Sequence, residues 1–139
     1  MTDRVTEFAR KNLKNKKDFG EDARLAFRRH LDDLKRSKKK DPNFPYIFNV
    51  EKSEDIIELA NKLTIAEGEG NESFTCAGFQ EFILGSLFGW VHKETGKRRF
   101  TDSYVQVSRQ QGKSVLNAIL GIKCCNFDNY NYGQIYCTA

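Results

Sequence analysis

The sequence has 139 residues, 39% of them apolar and 30% charged, with a formal net charge of +4. Its 11 Phe, 5 Tyr and 1 Trp exclude a disordered chain, and a single domain of this length can bury a core without disulfides. No run reaches the roughly 18–20 apolar residues of a membrane span, and the mixed-charge opening excludes a signal peptide, so the composition predicts a soluble, intracellular protein.

Charge is spread unevenly. Residues 1–40 carry a net of +7, residues 41–81 a net of −7, and residues 82–139 a net of +4. The basic front block is either a solvated helical face or a surface that meets a polyanion such as DNA. Cys76, Cys124, Cys125 and Cys137 lack CxxC pairing and a neighbouring His, which leaves four reduced thiols and no zinc site.

Val5, Phe8, Ala9 and Leu13 make a short helical stripe that ends by Gly20. Ala23, Ala26, Phe27, His30, Leu31 and Leu34 then follow helical spacing, with acids at the start, bases at the end and Asp41-Pro42 as the stop. His30 sits on the apolar stripe and is expected to be packed, not catalytic. Tyr46 to Val50 reads as extended, and Ser53 as the cap of a helix carrying Ile56, Leu59, Ala60 and Leu63. Glu67 to Asn71 reads as a loop dividing a helical segment (1–70) from a mixed rear part (71–139). Phe79, Phe82, Ile83, Leu87 and Trp90 keep helical spacing, and Glu94-Thr95-Gly96-Lys97 is a turn.

From residue 104 the pattern changes. Tyr104–Val107 predicts a strand, Ser108–Gly112 a polar turn, Lys113–Ile122 a helix buried nearly all round, and Gln134–Thr138 a second strand. Strand, turn, helix and strand predict a βαβ unit and a parallel sheet.

The chemistry falls at that turn, Ser108-Arg109-Gln110-Gln111-Gly112-Lys113-Ser114. A phosphate-binding loop needs amides converging at a helix N-terminus, a Gly at the close approach, a Lys for the phosphates and a hydroxyl for Mg²⁺. Gly112, Lys113 and Ser114 supply the last three in order, although Val107 stands where the GxxxxGK[ST] pattern begins with Gly. Gly96-Lys97 is a control, since it lacks the hydroxyl and does not precede a helix. Arg109, inside the loop, could stabilise or sense the charge of a terminal phosphate.

Several stretches together resemble the N-terminal ATPase part of tailed-bacteriophage terminase large subunits, the motors of DNA packaging. Val5-Thr6-Glu7-Phe8-Ala9 is similar to the family's opening Val-Thr-Glu-Tyr-Ala, and Arg29-His30-Leu31-Asp32-Asp33-Leu34 to its Arg-His-Leu-x-Asp-Leu helix. Phe79-Gln80-Glu81-Phe82-Ile83 and Phe88-Gly89-Trp90 resemble its Trp-Gln-x-Phe-Ile and Phe-Gly-Trp. Thr95 to Phe100 resembles Thr-Gly-x-Arg-Arg-Phe, Ser108 to Ser114 its divergent Walker A, and Gln134 to Ala139 the strand that follows.

The resemblance implies the first βαβ part of a P-loop NTPase, an incomplete parallel sheet beside a helical N-terminal segment. It implies ATP and Mg²⁺ as cofactors, with Lys113 and Arg109 catalytic and Ser114 on the metal. Gln80, Ser108, Gln110, Gln111, Gly112, Lys113 and Ser114 would hold nucleotide, Gln80 by reading adenine, although Gly78-Phe79-Gln80 stands in place of Pro-Trp-Gln. It implies double-stranded viral DNA, the portal protein and the small terminase subunit as partners, an oligomeric motor, and residence in the bacterial host cytoplasm at the procapsid portal. After Ser114 the only acid is Asp128, so neither a Walker B strand nor the nuclease carboxylates are present. The expectation is therefore a fragment, inactive alone, of an ATP-hydrolysing parent with a further endonuclease part. The competing reading is a non-catalytic module that docks DNA or a partner through the basic block, or an inert remnant.

Overall fold

A computed structural model of the chain describes residues 3–39, 41–67, 70–126 and 134–136. It divides into two compact units, Met1–Asp102 and Ser103–Ala139.

In the first unit, α1 (Arg4–Asn12) starts where Asp3 accepts a hydrogen bond from the Thr6 amide at 2.7 Å. Helix α2 (Glu21–Lys38) has acids in its first turn and bases in its last, so both ends of the dipole are compensated. Strand β1 (Tyr46–Phe48) pairs antiparallel with β4 (Trp90–His92), Ile47 facing Val91, and Val91 also bridges Arg98. Between them lie α3 (Val50–Lys62), the antiparallel hairpin of β2 (Thr64–Glu67) and β3 (Gly70–Ser73), and α4 (Gly78–Gly89).

Helix α4 is apolar nearly all round and packs against both α1 and α3. Val5, Ala9, Phe27, Ile56, Ile57, Ala60, Phe82, Leu84, Phe88, Trp90 and Val91 form the core of this unit. Gly85 permits the close approach, because a Cβ there would overlap Val5 and the Ser53 hydroxyl and crowd Ile57.

Several expectations change here. Asn49, not Ser53, caps α3, with its side chain accepting from the Lys52 amide at 3.0 Å. Asn49 is an equally good cap one turn earlier. Ser53 is instead fully buried at the α3–α4 crossing, and its hydroxyl has no hydrogen-bond partner among the described residues. Trp90 leaves the helical pattern of α4 to begin β4. The loop expected at Glu67–Asn71 falls where β2 and β3 face each other, with residues 68 and 69 outside the described ones.

In the second unit, α5 (Lys113–Asn126) buries Leu116, Ile119 and Lys123. Asn117 and Ala118 are exposed, so α5 has a one-sided stripe and is not buried all round as expected. The predicted strands do not form a sheet among the described residues. Tyr104–Val107 and Gln134–Tyr136 carry no ladder, Tyr104 is 88% exposed and Tyr136 83%, and residues 137–139 lie outside the described ones. Strands without flanking partners leave backbone donors and acceptors unpaired, and an isolated two-stranded pairing is marginal in water. The chain is thus a mixed helix and strand fold whose described sheets are antiparallel pairs. No helix among the described residues is long and apolar enough to cross a membrane.

Candidate nucleotide-binding site

The turn before α5 reverses the chain through two left-handed residues, Gln110 (φ 62°) and Gly112 (φ 74°). Glycine adopts this conformation freely, whereas a side chain there costs about 1–2 kcal/mol. The Leu116 amide donates to the Gly112 carbonyl at 2.9 Å, the first helical bond of α5. Amides of a first helical turn precede such bonds and carry the positive end of the helix dipole.

Lys113 turns back over the loop, and its Nζ donates to the Val107 carbonyl at 3.2 Å. The ammonium therefore lies across the segment whose amides it would share a phosphate with. Ser108, Arg109, Gln110, Gln111, Lys113 and Ser114 are exposed and Gly112 half-buried. The loop thus presents amides, an ammonium, a hydroxyl and a guanidinium to solvent within seven consecutive positions. That donor set suits a phosphate chain with a bound cation: positive groups and amides for the oxygens, and the Ser114 hydroxyl for the metal. The expected residues 108–114 are brought together on this one loop.

Gln80 belongs to the first unit. It is buried, and its Oε1 accepts from the Ala77 amide at 2.9 Å. This is half of a capping box, with Ala77 unable to supply the other half. The control turn is purely structural: Gly96 (φ 64°) donates to the His92 carbonyl at 2.9 Å, and Lys52 Nζ donates to the Gly96 carbonyl at 3.1 Å.

The remaining motifs of the first unit meet in its interior. Trp90 Nε1 donates to His30 Nδ1 at 3.0 Å, which leaves the imidazole hydrogen on Nε2 to donate to Thr6 Oγ1, also at 3.0 Å. His30 is 3% exposed, and burial lowers its pKa from 6.5 to about 4, so the ring stays neutral. Phe48, Phe82 and Trp90 pack edge-on around it, as its place on an apolar stripe predicts.

One turn further along α2, the buried Asp33 accepts from Arg99 at 2.6 Å. The Arg99 guanidinium also lies over Phe44, Tyr46, Trp90 and Phe100, at 4.9–5.6 Å from their ring centres. Asp33 and Arg99 carry no chemical motif of their own and were not singled out from the sequence. The sequence signal was indirect: an Asp on the inner face of α2 and an Arg-Arg-Phe run, each inside a stretch that matched a family pattern.

A left-handed turn opening a helix, with Gly-Lys-Ser at its mouth, is the layout of an anion-binding helix entrance. Residues 78–139 match the family described as the terminase large subunit, ATPase domain. Comparison with curated proteins and with solved structures returns no match.

Proposed function

We propose that the chain is the nucleotide-binding portion of a terminase large subunit that uses ATP and Mg²⁺ to drive double-stranded viral DNA into a capsid. The observation that carries this reading is Gly112-Lys113-Ser114 at the entrance of α5, inside the stretch that matches the ATPase domain family. Magnesium-bound ATP would supply a γ-phosphoryl group whose transfer to water releases the work. Amides at the entrance of α5 and the Lys113 ammonium would bind the phosphates, and Ser114 would hold the metal. Lys113 and Arg109 would stabilise charge on the transferred group, Arg109 from its exposed position in the loop. Ser108, Gln110 and Gln111 would line the phosphates through their backbone. Gln80 would read adenine through its side-chain amide.

These residues would bind nucleotide, and water activation would fall to carboxylates elsewhere in the parent. The parent motor would be an oligomer at the procapsid portal in the bacterial host, meeting the portal protein and the small terminase subunit, with endonuclease activity in a further part. Lys113→Ala in the full-length parent should abolish ATP hydrolysis and packaging, read as phosphate release and nuclease-protected DNA. Unchanged turnover in that variant would contradict the assignment.

A further inference from the structure

The basic residues of the front block are not equivalent. At the far end of α2, acids interleave with the bases: Lys35 pairs with Asp32 at 2.9 Å, and Arg36 pairs with Asp41 at 3.3 Å. Between α1 and α2 the situation differs. Arg10, Lys11, Lys14, Lys16 and Lys17 are all exposed, and no ion pair among the described residues engages Lys14, Lys16 or Lys17. The next acid in the chain, Asp18, is exposed and keeps its charge, accepting from Asn15 Nδ2 at 2.9 Å, so it offsets one of the five cations.

This turn is held in one shape. Asn15 Oδ1 accepts from the Lys17 and Asp18 amides, both at 3.2 Å, and Asn15 Nδ2 donates to Asn12 Oδ1 at 3.3 Å. Phe19 anchors its end, edge-on to Phe8 at 5.7 Å and to Phe27 at 5.3 Å, and Arg24 Nε donates to the Phe19 carbonyl at 3.3 Å. Basic side chains therefore stand on a knuckle fixed at both ends, in place of a loose tail.

Its chemistry selects the kind of partner. Phe19 packs on Phe8 and Phe27 and Leu13 is half-buried, so the stretch lacks the exposed apolar centre that a protein interface uses. It also presents no exposed aromatic ring on which single-stranded bases could stack. Lys ammonium groups on a rigid turn match the phosphates of a duplex, read by charge and not by sequence.

We infer that the α1–α2 knuckle, through Lys14, Lys16 and Lys17 with Arg10 and Lys11, is a docking surface for the phosphate backbone of double-stranded DNA. This names the surface by which the chain meets the duplex of the proposed function, and it rests on that reading only for the choice of duplex. The affinity of the 139-residue chain for a fluorescent 30-base-pair duplex, measured as anisotropy from low to moderate salt, tests it. Lys14→Gln/Lys16→Gln/Lys17→Gln should lower the magnitude of the log K against log salt slope by about 2–3, at roughly 0.9 per lost phosphate contact. Lys38→Gln/Lys39→Gln should leave most of that slope in place, and both variants should keep the parent circular dichroism and melting temperature. An unchanged slope in the knuckle variant, an equal loss in the α2 variant, or no duplex binding by the parent chain overturns the inference. So does polyglutamate competing as well as duplex at equal charge, which would point to an acidic protein partner. The Lys14→Gln/Lys16→Gln/Lys17→Gln variant should take up Mg²⁺-ATP in calorimetry as the unsubstituted chain does, so failure of nucleotide binding and failure of this surface are read separately.

Discussion

The first unit and the second use family-like motifs in opposite ways. In the first, Thr6, His30, Asp33, Trp90 and Arg99 are drawn from separate stretches of chain into buried contacts, so their chemistry is spent on holding helices to strands. In the second, the side chains from Ser108 to Gln111 and of Lys113 and Ser114 are exposed, and Lys113 donates to a carbonyl of its own loop. A motif is therefore no guide to catalysis until its burial is known. His30 and Arg109 both look reactive as letters, but only Arg109 is open to a ligand.

That contrast yields predictions about stability for the first unit and about ligand for the second. Arg99→Ala should be the most disruptive, costing about 3–4 kcal/mol in urea unfolding, because the buried Asp33 would lose its 2.6 Å partner and keep Arg36 at 3.6 Å. A loss below about 1 kcal/mol would show that Arg99 is a surface residue in practice.

His30 gives the next effect, and its direction is fixed by the lowered pKa. Above pH 6.5 the ring is neutral in both folded and unfolded chains, and its contribution to stability is complete. Between pH 6.5 and about 4 only the unfolded chain takes up the proton, so this contribution falls by about 3 kcal/mol as the pH drops. A proton NMR titration of the folded chain should find the His30 ring still neutral at pH 5, and a midpoint near 6.5 would contradict its burial.

Gly85→Ala should cost about 1–3 kcal/mol by forcing α4 away from Val5 and Ser53. In the second unit, Gly112→Ala should cost about 1 kcal/mol through its left-handed backbone. Lys113→Ala, exposed at the mouth of α5, should change stability by less than about 0.5 kcal/mol. Urea unfolding checks all three, and a large loss for Lys113→Ala would erase the distinction between the two units.

Much of the first unit was legible in sequence because its signals are local. The stripe from Ala23 to Leu34, the acids and bases at the ends of α2, and the Gly96 turn all appear where spacing and capping place them. What escaped was long-range. Asp33 and Arg99 are 66 residues apart, and only the fold brings them together. Ser53 misled because it is a good cap residue whose first-turn place was taken by Asn49. At the candidate site, the Gly-Lys-Ser order and the helix after it were readable. The sheet was not, because strand pattern specifies a side-chain face and says nothing of whether a partner strand is there to accept its hydrogen bonds.

The most direct test of the account is titration calorimetry of Mg²⁺-ATP into the folded chain and its Lys113→Ala variant. The account predicts a saturable heat for the parent chain that Lys113→Ala removes while the melting temperature stays the same. Equal heats from both proteins, or none from a folded parent chain, would contradict it.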